Sequence, residues 1–229
     1  SNFLLRKVNL RSHSYDSFCV SDDLCIKQFF DSSVEYVYVA FHLQHENTTM
    51  TFGLDYKNQI MFLRKIRSLL PPSVIILVKD HPLNYCHSLA YPRPSNYFQY
   101  LSAIIPGILF APMNFLSKDL IAGALCTFTV NGTASLEASL MGKPAVFGGL
   151  SSFASLPNIA HINSFSSSDD FYDWLATASQ IKAHDQSLLD YFEDRDDFLH
   201  ECIAYGSMTS DTGFVSAYQS IEADYLSAF

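Results

Sequence analysis

Val34-Glu35-Tyr36-Val37-Tyr38-Val39-Ala40-Phe41-His42-Leu43 is a β-branched and aromatic run that lacks the polar-apolar alternation of a strand with one wet face. It reads as a central parallel strand covered on both sides. A polar loop from Gln44 to Gly53 follows. Asn58 to Leu70 then places Ile60, Leu63, Ile66, Arg67 and Leu70 near helical spacing, and Pro71-Pro72 stops the helix.

The same unit recurs along the chain. Val74 to Val78 is a buried strand ending in Lys79-Asp80-His81-Pro82, with a helix expected over Ser95 to Ala103. Ile108 to Ala111 pairs with a helix over Ser117 to Ala124, Cys126 to Val130 with one over Ala134 to Met141, and Pro144 to Gly148 supplies a fifth strand. A short strand near Ala160 to Asn163 and helices over Asp169 to Gln180, His184 to Tyr205 and Thr212 to Leu226 complete the expectation. Strands alternating with helices imply crossover connections and a parallel sheet with helices on both faces. Residues 1–33 show no sustained period and read as a lead-in packing on the domain edge, with one α/β domain over residues 34–229.

Composition narrows the function classes. The chain has 229 residues and 48% hydrophobic content, enough for a continuous core. With 14 Lys and Arg against 23 Asp and Glu, the formal net charge of −9 argues against nucleic acid as a partner. A small anionic ligand needs only one or two cations and oriented backbone N–H groups. Asp190, Glu193, Asp194, Asp196 and Asp197 read as a solvated helix face. Cys19, Cys25, Cys86, Cys126 and Cys202 form no CxxC pair and read as free thiols of a reducing, cytoplasmic compartment. His13, His42, His87, His161, His184 and His200 lack metal-ligand spacing and read as structural or solvent-facing, so no metal and no cofactor are expected. No apolar run approaches the ~18 residues of a membrane span. The chain opens Ser1-Asn2, not with Met, which reads as a piece whose N-terminal partner domain lies outside it.

Ligands of such sheets bind outside the carboxyl ends of the strands, and this rule sorts the polar residues. Gln44, His45 and Glu46 follow the first strand, Lys79 and His81 the second, Asn131, Gly132 and Thr133 the fourth, and Gly148, Gly149, Ser151 and Ser152 the fifth. Lys79 and His81, stiffened by Pro82, suit phosphate contact; the same residues also fit a solvated strand end with a loop-anchoring imidazole. Asn131-Gly132-Thr133-Ala134-Ser135 joins strand to helix, with Thr133 and Ser135 at or near the N-cap, where N–H groups and hydroxyls attract a phosphate or simply cap the helix. Glu137, one turn into a sheet-packed helix, needs a polar partner, and a ribose diol would serve.

Taken in order, Phe41-His42-Leu43-Gln44-His45-Glu46-Asn47-Thr48-Thr49, the Asp55 to Pro71 helix, Val78-Lys79-Asp80-His81-Pro82 and Asn131-Gly132-Thr133-Ala134-Ser135-Leu136-Glu137-Ala138 resemble the capsular polysaccharide biosynthesis family that includes bacterial Kdo transferases. Glu137-Ala138 followed by Gly142-Lys143-Pro144 and a buried strand is similar to the donor segment of GT-B glycosyltransferases. The resemblance spans about Val34 to Gly149 and departs at Gln44-His45-Glu46, where that family shows Gln-Pro-Glu.

It implies a Rossmann-like parallel sheet, as in the C-terminal domain of a GT-B enzyme, and a glycosyltransferase whose donor-binding half this is. The sugar would be Kdo from CMP-Kdo, and the acceptor a bacterial capsular or surface glycan or glycolipid. An N-terminal GT-B domain would face this one, at the inner face of the membrane with peripheral association of the full protein. Lys79, His81, Pro82, Asn131, Gly132, Thr133, Ser135 and Glu137 would hold the donor, with Gln44, Glu46 and Gly148 further along the rim and the catalytic residue unassigned. Two alternatives are a CDP-polyol phosphotransferase-like domain and a non-catalytic nucleotide- or glycan-binding module of an export assembly.

Overall fold

A computed structural model describes residues 34–43, 47–82, 93–94 and 96–182, together with Tyr15, Cys19 and Asn84. Six strands form one all-parallel sheet: β1 (Tyr36–Ala40), β2 (Ile75–Lys79), β3 (Ile108–Phe110), β4 (Thr127–Thr129), β5 (Ala145–Phe147) and β6 (Ile159–His161). Their order is β3-β2-β1-β4-β5-β6. The six strands thus start in the middle, run outward on one side and return to run outward on the other, and the reversal falls between β1 and β4.

The apolar run of β1 serves two cores. Val37 and Val39 face one side, among Phe62, Leu63 and Ile66 of helix α2 (Gln59–Leu69), Phe98 and Leu101 of α3 (Tyr97–Ile104) and Phe171 and Leu175 of α6 (Ser168–Ala178). Tyr36 and Tyr38 face the other, among Leu120 and Ile121 of α4 (Ser117–Gly123) and Leu136 and Ala138 of α5 (Ala134–Leu140). Period-two geometry sends neighbours to opposite faces, so a strand buried on both must be apolar throughout. This is the Rossmann-like sheet with helices on both faces that the alternation implied.

Local chemistry sets the ends. Asn58 caps α2 by accepting from the Ile60 amide at 3.0 Å, and the helix stops before Pro71-Pro72, where Arg67 donates to the Val74 carbonyl at 2.8 Å. A capping box, Ser167 with Asp170, starts α6.

The segment expected as a polar loop departs from expectation. It carries a short helix, α1 (Asn47–Phe52), and a 3-10 turn (Leu54–Lys57), with Leu54 at φ 50°. The Leu150 amide donates to the Phe52 carbonyl at 2.7 Å, so α1 is docked on the β5 exit. In residues 1–33, Tyr15 is buried, its ring edge-on to Phe98 at 4.8 Å and its hydroxyl donating to the Ala111 carbonyl at 2.6 Å, and Cys19 bridges to Phe110 of the edge strand β3. The helices expected over 184–205 and 212–226 lie outside the described residues. Among the described residues no helix is long and apolar enough to cross a membrane.

Candidate functional site

The carboxyl ends of β1, β2 and β4 are neighbours in the sheet, and three residues absent from the expected site hold them together. The first is His42, directly after β1. Its backbone amide donates to Gln59 Oε1 at 3.1 Å, and Gln59 Nε2 donates back to its carbonyl at 3.3 Å. The ring reaches β4, where Nε2 accepts the Val130 amide at 3.0 Å with the Thr129 hydroxyl at 2.8 Å. A backbone N–H only donates, so Nε2 is the unprotonated nitrogen and Nδ1 carries the proton. Burial, with His81 and Arg93 adding positive charge nearby, lowers the imidazole pKa to about 4, so the ring is neutral at pH 7.

The second is Arg93, which grips the buried Asp80 carboxylate through Nε at 2.7 Å and Nη2 at 2.6 Å. Its guanidinium lies 5.1 Å from the Phe41 ring centroid and 4.8 Å from that of Tyr97, and Nη2 also donates to the His42 carbonyl at 3.3 Å. Asp80 accepts in addition from the His81 amide and from Asn84 Nδ2, each at 2.9 Å. Tyr15 is the third: its hydroxyl oxygen accepts the Asp80 amide at 3.2 Å.

The expected residues sort accordingly. Asp80 points inward and is engaged on both oxygens, which leaves half-buried His81 and exposed Pro82 at the rim. Lys79 lies on the opposite face of β2 and donates to the Phe115 carbonyl at 2.6 Å, which draws its ammonium towards the β3–α4 loop. Asn131 and Gly132 are half-buried, Thr133 is exposed, and buried Thr49 of α1 donates to Asn131 Oδ1 at 3.4 Å. Thr133 occupies the N-cap position of α5 without capping it; its hydroxyl donates to Glu137 Oε1 at 3.3 Å, and Ser135 Oγ turns back to the Gly132 carbonyl at 3.0 Å. Both hydroxyls therefore bond locally in place of the helix end. Gly148 is buried under Phe62, its amide donating to the Thr129 carbonyl at 3.1 Å and its carbonyl accepting from His161 Nε2 at 3.0 Å. Gln44 and Glu46 lie outside the described residues.

Gly132 shows why the β4 exit has this composition. A Cβ there would meet His42 Cε1 at 2.7 Å and Thr129 Oγ1 at 2.9 Å, so the turn closes directly over the imidazole. The arrangement presents His81, Asn131, Gly132, Thr133 and Glu137 from two turns flanking the β1/β4 reversal, on a base of neutral His42 and the Arg93–Asp80 pair. It suits holding a polar or anionic ligand; the carboxylate beside His81 is bound to Arg93 and is not poised as a base.

The fold and this rim define a Rossmann-like α/β domain with a candidate ligand crevice at its topological switch point. No protein-family model matches the sequence, and no curated protein matches it. Solved structures similar to it include Thermosulfurimonas dismutans KpsC, beta Kdo 2,7 transferase, at 14% identity and TM-score 0.45, covering 70% of this chain and 51% of that chain. A second is Thermosulfurimonas dismutans KpsC, beta Kdo 2,4 transferase, at 15% identity and TM-score 0.40, covering 78% and 56%. A third is the UDP-GlcNAc 2-epimerase from Neisseria meningitidis bound to UDP-GlcNAc, at 12% identity and TM-score 0.45, covering 82% and 50%. The chain spans about half the length of each.

Proposed function

We propose that this chain is the donor-binding half of a glycosyltransferase that transfers a sugar, Kdo from CMP-Kdo, to a bacterial capsular or surface glycan. The observation that carries the reading is the convergence of the His81 and Asn131–Thr133 turns on the β1/β4 switch point, where open α/β sheets bind their ligands. His81 meets the donor phosphate together with the Asn131 to Thr133 turn, and Glu137, with Thr133 beside it, holds the ribose diol. Lys79 contributes once its ammonium swings from the Phe115 carbonyl. The acceptor, and the group that activates it, come from a second α/β domain across the crevice, and the full protein works in the cytoplasm at the inner face of the membrane.

Two substitutions test the site. His81→Ala and Glu137→Ala are each expected to weaken CMP binding by roughly ten- to hundredfold, the loss of one charged hydrogen bond, without unfolding the chain. Wild-type affinity in both variants would remove these residues from the site. The locked Asp80 carboxylate favours one further reading, a module that binds the nucleotide without transferring from it. Product formation by the full-length protein separates the two.

A further inference from the structure

The β1–β4 ladder ends at the pair Ala40 and Thr129, so the next amides of the β4 exit find no partner in the sheet. The Val130 amide is taken by His42 Nε2 at 3.0 Å, and the Gly132 amide by Thr129 Oγ1 at 3.2 Å, the hydroxyl that itself lies 2.8 Å from His42 Nε2. One ring nitrogen therefore organises the turn that carries Asn131, Gly132 and Thr133. Gln59 fixes the ring's backbone from both sides, and Gly132 leaves no slack above the ring. The His42 carbonyl also accepts from Arg93, which holds Asp80 and through it the His81 amide.

We infer that His42 is a positioning residue: as an uncharged acceptor at Nε2 it sets the β4–α5 turn, and through Arg93 it registers that turn against the His81 turn. Ligand affinity at the rim then depends on an acceptor at the Nε2 position of residue 42. This inference rests on the donor-rim reading for its functional consequence, and on the hydrogen bonds alone for its structural one. The chemistry separates positioning from mere filling of space. Glutamine places a carbonyl oxygen near the Nε2 position, asparagine only near Nδ1, and leucine offers no acceptor.

The test compares His42→Gln, His42→Asn and His42→Leu with the parent chain in two measurements: calorimetric titration with CMP, and amide hydrogen exchange at Val130. The expected result is that His42→Gln keeps affinity within about threefold and leaves Val130 protected, whereas His42→Asn and His42→Leu lose about tenfold or more per folded molecule and expose it. Equal affinity and equal protection in His42→Leu and the parent would overturn the inference. So would a folded His42→Gln as weak and as exposed as His42→Leu. If the parent binds no CMP, the donor reading fails by itself, and the exchange at Val130 still decides whether His42 sets the turn.

Discussion

Arg93 lies between Pro92 and Pro94 in sequence, thirteen positions beyond the carboxylate it holds, and nothing in that spacing announces the pair. The same is true of His42, which in sequence is one of several scattered histidines; its role follows from a contact with Val130, 88 positions away. The residues expected at the rim mark themselves locally, as a strand end followed by Lys-Asp-His-Pro or Asn-Gly-Thr, whereas the residues beneath them act through tertiary contacts. Arg93→Ala leaves the Asp80 carboxylate buried without its counter-charge and is expected to cost about 3–5 kcal/mol of stability, with Arg93→Lys recovering only part because the two-point grip is lost. Urea unfolding measures both, and a loss under about 1 kcal/mol for the alanine variant would show that the pair matters little. His42 adds a pH dependence. Its pKa falls from 6.5 to about 4 on folding, so the unfolded chain binds the proton more readily in that interval, and stability is lost as pH drops from 6.5 towards 4. The expected loss from this group is about 2 kcal/mol by pH 5, absent in His42→Gln. Parallel pH profiles of parent and variant, from denaturant melts at pH 7 and pH 5, would contradict it.

At the scale of elements, strand and helix periods were readable wherever an element is buried along its length. β1, β2, α2 and α6 fall within a few residues of expectation because their apolar patterns face packed neighbours. The miss is α1. Asn47-Thr48-Thr49-Met50-Thr51-Phe52 has three β-branched threonines and little helix propensity, and it is helical where the β5 exit receives it. Gly149 makes that docking possible, since a Cβ there would run into the Phe52 carbonyl and meet Gly53 Cα at 2.9 Å. Gly149→Ala is therefore expected to push α1 off the sheet edge and to cost about 1–3 kcal/mol, read as a lowered thermal midpoint. A midpoint equal to that of the parent would show that α1 yields without loss. Because α1 also brings Thr49 to Asn131, the variant should weaken ligand binding as well.

For the whole molecule, alternation of strands and helices disclosed the fold class, but not the order of the strands. Placing β4 beside β1 is a pairing of segments some ninety residues apart (Tyr38 with Thr127, for example), and with β2 on the other side of β1 it brings two motifs that are separate in sequence to the same end of the sheet. The net charge of −9 disfavours a polyanion at these strand ends. The Asp80 carboxylate is held by Arg93 and the Glu137 carboxylate accepts from Thr133, so the chain alone is expected to bind nucleotide without transferring sugar to any glycan acceptor. Mass analysis after incubation with CMP-Kdo and acceptor oligosaccharides checks this, and a mass-shifted product would mean that this chain holds the catalytic group. Calorimetric titration with CMP, CDP, UDP and GDP checks the proposed cytidine-nucleotide site at the β1/β4 switch point. CMP or CDP is expected to bind at least about tenfold more tightly than the other two; a clear preference for UDP, or no binding of any of the four, would rule that site out.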